Sequence, residues 1–227
     1  MRIAIGRSMT HKNYRTDQES FWAGSFGDQY ISRNWDPKLQ ASRLAFFSHA
    51  LRKAARIDSC VEVGANVGMN LRALGLLYPG QRQHAVEINH EAAKELRKLL
   101  PPSCVFESSV LDLDLATALG GNGCDLVLTA GVLIHINPEF LPGVYEKLFD
   151  VARRYVLLCE YYNPTPTVVE YRGHTERLYK RDFAGEIMSL YPSLELLDYG
   201  FVYHGDRAFP LDDVTWFLMQ KRAWEDR

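Results

Sequence analysis

Short apolar runs alternate with helical patterns between residues 59 and 160, and this alternation restricts the possible folds more than any other feature. The runs are rich in Val, Leu and Ile, as in strands that are buried on both faces of a parallel sheet. They are residues 60–64, 84–88, 105–108, 125–129 and 155–160. The helical patterns between them cover residues 68–78, 91–100, 113–119 and 138–152. Strands and helices in this order predict an α/β fold with a doubly wound parallel sheet.

The rhythm changes after Glu160. The segment YYNPTPTVVEYRGH, residues 161–174, is predicted to be a long loop, and a helix is predicted near residues 182–190. Two further strands, residues 194–204 and 214–220, are joined by a linker too short for a crossover helix. These two strands are therefore expected to be antiparallel to each other.

The region before the first strand is predicted to be helical. A helical pattern runs from residue 17 to residue 56, is interrupted at WDPK, and continues as a helix over residues 39–55. Residues 1–16 are expected to be loosely attached. We therefore divide the chain into an N-terminal helical lid segment, residues 1–56, and one α/β domain, residues 57–227.

Composition excludes several classes of function. The 227 residues are 47% hydrophobic, which suits one domain with a small appendage, and the net charge of -2 gives no basic surface for nucleic acid. No apolar stretch approaches the roughly 18–20 residues of a membrane span, and the N-terminus lacks a signal-peptide core. The four cysteines form no CxxC pair, so we expect no metal site, buried thiols and a reducing compartment, the cytoplasm.

A glycine-spaced loop follows the first predicted strand. It reads Glu62-x-Gly64-x-Asn66-x-Gly68, in which Gly64 permits a sharp turn and Asn66 tolerates a positive φ. Gly68 is expected to let a ligand approach the first turn of the helix. Glu87 ends the second strand, where a carboxylate can accept hydrogen bonds from both hydroxyls of a ribose. The loop and its two acids therefore predict a site for a nucleoside-like ligand.

Two classes of ligand compete for this loop. A dinucleotide site requires Gly-x-Gly-x-x-Gly, but here the second and third glycine positions hold Asn66 and Met69. The carboxylate of Glu62 would repel a pyrophosphate and attract the ammonium and sulfonium groups of S-adenosylmethionine. The pattern favours S-adenosylmethionine over a nicotinamide dinucleotide, and a glycine turn needed only for packing is the remaining alternative.

Several segments together resemble a known family. They are FWAGSFGDQYISRN, EVGANVGMNLRAL, AVEIN, DLVLTAGVLIHINP, EYYNPTP, YRGHTERLYKRDFAGE and DYGFVYHGD with FPLDDVTWFLM. The chain resembles the class I S-adenosylmethionine-dependent methyltransferases and, more narrowly, the pseudaminic acid biosynthesis-associated methylases. The likeness extends from about residue 19 onward. The earlier motifs are specific to the superfamily and the later segments to the narrow family, so the resemblance fixes the cofactor better than the substrate.

The resemblance implies a seven-stranded sheet whose last two strands form the antiparallel hairpin, and it implies cofactor contacts at the strand ends. Glu87 would bind the ribose and Ile88 would lie beside the adenine. Ser109 and Val110 occupy the end of the third strand, where the family often has an Asp for the adenine amino group, so that polar contact is left open. The methionine portion and its methyl would lie against Glu62, Gly64, Ala65, Asn66, Gly68, Ala130 and Gly131. S-adenosylhomocysteine would be the product.

Methyl transfer to a hydroxyl benefits from a general base, and the candidates lie at the predicted carboxyl edge of the sheet. His135 is a candidate base, with a structural role as the alternative. Glu160 and Tyr162 are further catalytic candidates, while Tyr161 and Asn163 are expected to contact the acceptor. Loop packing is the alternative for the two tyrosines.

Other polar residues are candidates for substrate and cofactor contacts. The run YRGHTERLYKR is either a solvated basic face or a clamp for a carboxylate or phosphate, with Arg172 and His174 as substrate-binding residues. Tyr203 and His204 are expected to close the pocket from the hairpin, together with Asp212 and Asp213, although Asp213 has a nearby cation as its alternative partner. In the lid segment, Tyr30 and Arg33 are expected to contact the cofactor, Arg33 at its carboxylate.

The sequence thus predicts a cytoplasmic, metal-independent methyltransferase that acts on oxygen or nitrogen of a small polar acceptor. The acceptor is expected to be a sugar or an acidic, nonulosonic-acid-type derivative used in surface glycan biosynthesis. Neither nucleic acid nor a membrane is expected as a partner, and the sequence does not determine the oligomeric state. A nicotinamide-dependent oxidoreductase and a non-catalytic module that binds S-adenosylmethionine are the alternatives.

Overall fold

The computed structural model describes residues 14–31, 37–171 and 174–222. Its nine strands are β1 (Ser59–Val63), β2 (Arg82–Glu87), β3 (Val105–Glu107), β4 (Cys124–Ala130), β5 (Ala152–Glu160), β6 (Thr167–Tyr171), β7 (His174–Lys180), β8 (Leu194–Phe201) and β9 (Thr215–Lys221). Seven of them form one sheet in the order β3-β2-β1-β4-β5-β9-β8. Strands β1 to β5 are parallel, whereas β9 is antiparallel to β5 and β8 is antiparallel to β9. The predicted α/β sheet with an antiparallel C-terminal hairpin is confirmed.

Eight helices are described. They are α1 (Asp17–Ala23), α2 (Ser25–Ile31), α3 (Pro37–Ala50), α4 (Met69–Leu77), α5 (His90–Leu99), α6 (Leu115–Ala118), α7 (Leu141–Val151) and α8 (Phe183–Leu190). Asn89 caps α5, since its side chain accepts a hydrogen bond from the Ala92 N–H. Asn137 precedes the 3-10 turn Pro138–Phe140, which leads into α7, and its side chain makes no capping hydrogen bond.

The core consists of two layers, one on each face of the sheet. Alternate residues of one strand point to opposite layers, so that Val61 packs with the layer of α7 and α8 while Cys60 packs with the layer of α3, α4 and α5. This two-sided burial explains why the strands are continuous apolar runs. Trp216 on β9 and Phe47 on α3 are among the largest fully buried side chains of the second layer.

The predicted loop after β5 is only partly a loop. Strands β6 and β7 pair as an antiparallel two-stranded sheet, and β7 lies against the 3-10 turn Leu133–His135. The two prolines, Pro164 and Pro166, stand just before β6, where they remove no ladder hydrogen bond. The two prolines favoured the prediction of a loop. The short β-prone run that follows them forms β6 instead.

The described residues were also searched for membrane-spanning helices and for metal sites. Among the described residues, no helix is long and apolar enough to cross a membrane. The same residues contain no group of three or more His, Cys, Asp or Glu side chains placed to hold a metal ion. All four cysteines are free thiols.

Candidate functional site

A cavity of about 290 Å³ lies at the carboxyl ends of the parallel strands, under α1 and α2. The loops that follow parallel strands meet at this edge, which is where ligands bind in open α/β sheets. The predicted site residues that line the cavity are Tyr30, Glu62, Gly64, Ala65, Asn66, Glu87, Ile88, Ser109, Val110, Ala130, Gly131, His135, Tyr161 and Asp212.

Backbone geometry explains the residue types of the glycine loop. Gly64 has a φ of 74°, and a Cβ there would lie 2.3 Å from a methyl carbon of Val132. Asn66 has a φ of 47°, in agreement with its predicted tolerance of positive φ. Gly68 has a φ of 80°, and a Cβ there would approach Leu96 and Leu99 to less than 3.0 Å. Gly68 is therefore required by its conformation and by packing on α5, not by contact with the cavity as the sequence analysis expected.

Glu62 is a buried carboxylate with one oxygen left for a ligand. It is 1% exposed, and its Oε1 accepts a hydrogen bond of 2.6 Å from the Asn70 amide. Its Oε2 is buried and accepts no hydrogen bond from the described residues. Burial raises the pKa of Glu62 to about 8, against the opposing effects of the Asn70 hydrogen bond and the Arg43 charge. The Arg43 charge does not outweigh this burial, so the protonated form of the carboxyl group is favoured at neutral pH.

Arg43 supplies a positive charge to the same end of the cavity. Its Nε donates a hydrogen bond of 3.0 Å to Asn70 Oδ1, so Asn70 links the guanidinium to Glu62. Burial lowers the pKa of Arg43, and the nearby acids Glu62 and Asp212 oppose that shift. Arg43 was not predicted, because it belongs to α3 and lies outside every motif found in the sequence. The predicted Arg33 lies outside the described residues.

Glu87 joins the glycine loop to α5. One carboxylate oxygen accepts the N–H of Asn66 and the other accepts the N–H of Asn89, both at 2.7 Å. Burial raises the pKa of Glu87, while these backbone hydrogen bonds lower it. The carboxylate faces the cavity with its orientation fixed, as a ribose-binding group requires.

A second acid reaches the end of β3 from the lid. The Ser109 hydroxyl donates to Glu19, which is buried and lines the cavity. The other Glu19 oxygen accepts the N–H of Thr16 at 3.0 Å, which completes the capping box of α1. The capping box of α1 is enough to explain a Glu at position 19. Nothing in the sequence therefore indicated that Glu19 lies beside Ser109.

His135 lies in the cavity wall, and Glu160 lies behind it. The His135 ring is 4.6 Å from the Trp22 ring of α1. Glu160 is buried and accepts hydrogen bonds from the N–H groups of residues 132–134 and from the Thr129 hydroxyl. Burial raises the pKa of Glu160 to about 7. Glu160 therefore anchors the turn that carries His135 and does not line the cavity, so the structure does not bring this predicted catalytic group to the site.

Four other predicted residues lie away from the cavity. Tyr162 and Tyr203 are 40% and 54% exposed. The Asn163 amide donates to Thr165 and Thr167 in its own loop. His204 is exposed and pairs with Asp213 at 2.8 Å. These side chains project outward or stabilise loops. In the linker between β8 and β9, which carries Tyr203 and His204, only residues 211, 212 and 214 line the cavity.

The predicted basic clamp lies partly outside the described residues. Arg172 and the side chain of His174 lie outside the described residues. Arg181 is paired with Glu186 at 2.8 Å, and Lys180 lies over the Tyr161 ring at 5.3 Å. Neither cation lines the cavity.

Comparison with known proteins gives many structural matches. No protein-family model and no curated protein sequence matches the chain. Magnesium protoporphyrin IX methyltransferase from Synechocystis PCC 6803, crystallised with S-adenosylmethionine, has a TM-score of 0.65 and 14% identity over 92% of this chain and 99% of that one. The 1,6-didemethyltoxoflavin N1-methyltransferase from Burkholderia thailandensis, with its substrate and S-adenosylhomocysteine, has a TM-score of 0.62 and 16% identity over 89% and 86%. The plantazolicin methyltransferase BpumL with S-adenosylhomocysteine has a TM-score of 0.61 and 11% identity over 90% and 93%.

The chain has the class I methyltransferase fold. These three neighbours were crystallised with S-adenosylmethionine or S-adenosylhomocysteine, in agreement with the predicted cofactor. At these identities the likeness establishes the fold. It does not extend to the pseudaminic acid-associated family or to a sugar acceptor.

Proposed function

We propose that this chain is an S-adenosylmethionine-dependent methyltransferase that transfers a methyl group to oxygen or nitrogen of a small polar acceptor. The observation that carries the proposal is the unpartnered, buried Oε2 of Glu62 in the cavity of a methyltransferase fold. A buried acceptor left without a donor costs about 1–3 kcal/mol. A ligand ammonium group would satisfy it.

The surrounding charges fit the amino-acid end of this cofactor. Arg43, linked to Glu62 through Asn70, would bind a carboxylate, so the pair would recognise a zwitterion. Glu87, on the neighbouring strand, would accept hydrogen bonds from the ribose hydroxyls. A dinucleotide would instead bring a pyrophosphate toward the acidic side chain of Glu62, which disfavours the oxidoreductase alternative. Glu87 does not separate the two ligands, because both carry a ribose.

Bound in this cavity, S-adenosylmethionine would supply a methyl group on a positively charged sulfur. The protein residues hold and align the reactants, which can provide several kcal/mol of the barrier, and they exclude water under α1 and α2. His135 takes the proton that an acceptor hydroxyl or ammonium gives up. A base in this role is worth about 10²–10⁴-fold in rate.

The acceptor in this proposal is a sugar or a nonulosonic-acid-type derivative made for a surface glycan in the cytoplasm. The support is the resemblance of the later sequence segments, together with Tyr30 and Tyr161 in the cavity wall. Among the candidate clamp residues, Arg172 and His174 would meet an acidic group of the acceptor.

Calorimetric titration with S-adenosylhomocysteine, S-adenosylmethionine and NAD⁺ tests the proposal. We expect the first two to bind and NAD⁺ not to bind, and tight binding of NAD⁺ alone would refute the proposal. Transfer of a labelled methyl group to a panel of sugars and amines, read by mass spectrometry, then separates an enzyme from a non-catalytic binding module.

A further inference from the structure

The side of the cavity beyond β4 and β5 would face the acceptor, because the cofactor contacts proposed above lie over β1 and β2. Thr215 of β9 pairs with Glu160 of β5, so the residues just before β9 lie above the carboxyl end of β5. We call this side the acceptor wall. Its members are Trp22, His135, Asn137, Tyr161, Leu178 and Asp212.

Asn137 lines the cavity and carries a hydrogen-bond acceptor without a described partner. Its side-chain oxygen is buried and receives no hydrogen bond in the described part of the chain. The cavity thus has two orphan oxygens, one on Glu62 in the proposed cofactor half and one on Asn137 in the acceptor wall. Since buried acceptors are nearly always paired, each is expected to meet a donor on a ligand.

Asp212 adds a negative charge to the same wall. It makes no ion pair with a described side chain, whereas its neighbour Asp213 is paired with His204. Among the described residues, Arg43 is the one Lys or Arg that lines the cavity, and its guanidinium is hydrogen-bonded beside Glu62. The described acceptor wall therefore offers the oxygens of Asn137 and Asp212 and contains no Lys or Arg of its own, while the charge of Arg43 is close enough to act on Asp212.

We propose that Asn137 and Asp212 hold the methyl acceptor through its hydroxyl or amino hydrogens. The acceptor is then a donor-rich molecule, a neutral polyol or an amino-bearing ring, and any carboxylate it carries points away from this wall. Trp22 and Leu178 provide the apolar surface against which the ring lies. The inference rests on the proposed methyltransferase function and narrows its substrate class.

Fragment binding to the full chain saturated with S-adenosylhomocysteine tests this assignment without requiring turnover. The library pairs alcohols and amines with carboxylates of matched size and ring shape, and ligand-observed NMR reports binding. We expect alcohols and amines to dominate the hits. Asp212→Asn should shift the balance toward carboxylates, and Asn137→Ala should weaken the alcohol and amine hits by roughly tenfold.

Asp213→Asn is the matched control, because that carboxylate pairs with His204 outside the cavity and its loss should leave the balance of hits unchanged. Affinity for S-adenosylhomocysteine, measured on every variant, should also be unchanged. Absence of that binding in the wild type would overturn the proposed function itself. Retained cofactor binding with carboxylate-dominated hits, with no hits, or with equal effects of both Asp substitutions would overturn the acceptor assignment alone.

Discussion

In the proposed cofactor site, Glu62 is the residue expected to contribute most to recognition, and its protonation should report ligand binding. Its pKa of about 8 means that the carboxyl group is mostly protonated at pH 7 without a ligand. A ligand ammonium group would favour the ionised form, so binding should release up to about one proton at pH 7 and strengthen as the pH rises toward 8. Calorimetry in two buffers of different ionisation enthalpy measures this release.

Glu62→Gln should abolish the proton release and weaken S-adenosylhomocysteine binding by about tenfold to a hundredfold, the effect of one lost charged hydrogen bond. Glu91→Gln is the control, since Glu91 is exposed and pairs with Lys94 on the surface of α5. Equal proton release in wild type and Glu62→Gln would contradict the role given to Glu62.

His135 should affect turnover and leave cofactor affinity intact. If its imidazole accepts the acceptor proton, His135→Ala should lower kcat by about 10²–10⁴-fold and change the pH dependence of the rate. The affinity for S-adenosylhomocysteine should stay near the wild-type value. Unchanged turnover would reduce His135 to a packing partner of Trp22.

Helices α1 and α2 complete the cavity by docking near the start of α5, and Gly27 lies where they meet Asn89. The Asn89 amide donates to Trp22 O at 3.2 Å and to Asp28 at 2.9 Å. A Cβ on Gly27 would lie 2.0 Å from Trp22 O and 2.7 Å from the Asn89 amide nitrogen. Gly27→Ala should cost about 1–3 kcal/mol of docking free energy, expose α1 and α2 to protease and weaken cofactor binding.

Gly143→Ala is the matched control, because a Cβ on this residue of α7 would meet no atom within 4 Å. It should leave cofactor binding unchanged and stabilise the protein by about 0.4–1 kcal/mol. Limited proteolysis with and without S-adenosylhomocysteine compares the two variants. Wild-type protection of Gly27→Ala would show that α1 and α2 do not depend on this contact.

The turn that carries His135 should make stability depend on pH through Glu160. Its pKa is raised from 4.5 to about 7, so the folded state binds its proton more tightly than the unfolded state does. The stability from this group is complete below pH 4.5 and is lost as the pH rises through about 7. Urea unfolding between pH 4.5 and 8 should show wild type losing free energy of unfolding relative to Glu160→Gln, and a constant difference would contradict this assignment.

At the scale of the whole molecule, the parallel half of the sheet could be predicted because its signal is local. Strands β1 to β5 are apolar runs separated by helical patterns, and both are decided within about ten residues of sequence. The hairpin of β6 and β7 was missed because its pairing depends on packing against the turn after β4. Local propensity could not supply that contact.

The candidate site likewise contains residues that could be predicted from the sequence and residues that could not. Glu62 and Glu87 were predicted because they stand at strand ends, which the sheet topology brings together. Arg43, Glu19 and Asn137 were missed because their roles depend on contacts between distant elements, such as the hydrogen bond from Arg43 to Asn70. Tyr203 and His204 were predicted to close the pocket but lie outside the cavity. In the linker between β8 and β9, only residues 211, 212 and 214 line the cavity.

The most direct test of the account is a crystal structure of the chain soaked with S-adenosylhomocysteine. We predict the ligand in the cavity under α1 and α2, with its ammonium group on Glu62 Oε2, its carboxylate toward Arg43 and its ribose hydroxyls on Glu87. An empty cavity, or a bound ligand that neither Glu62 nor Glu87 contacts, would contradict the account.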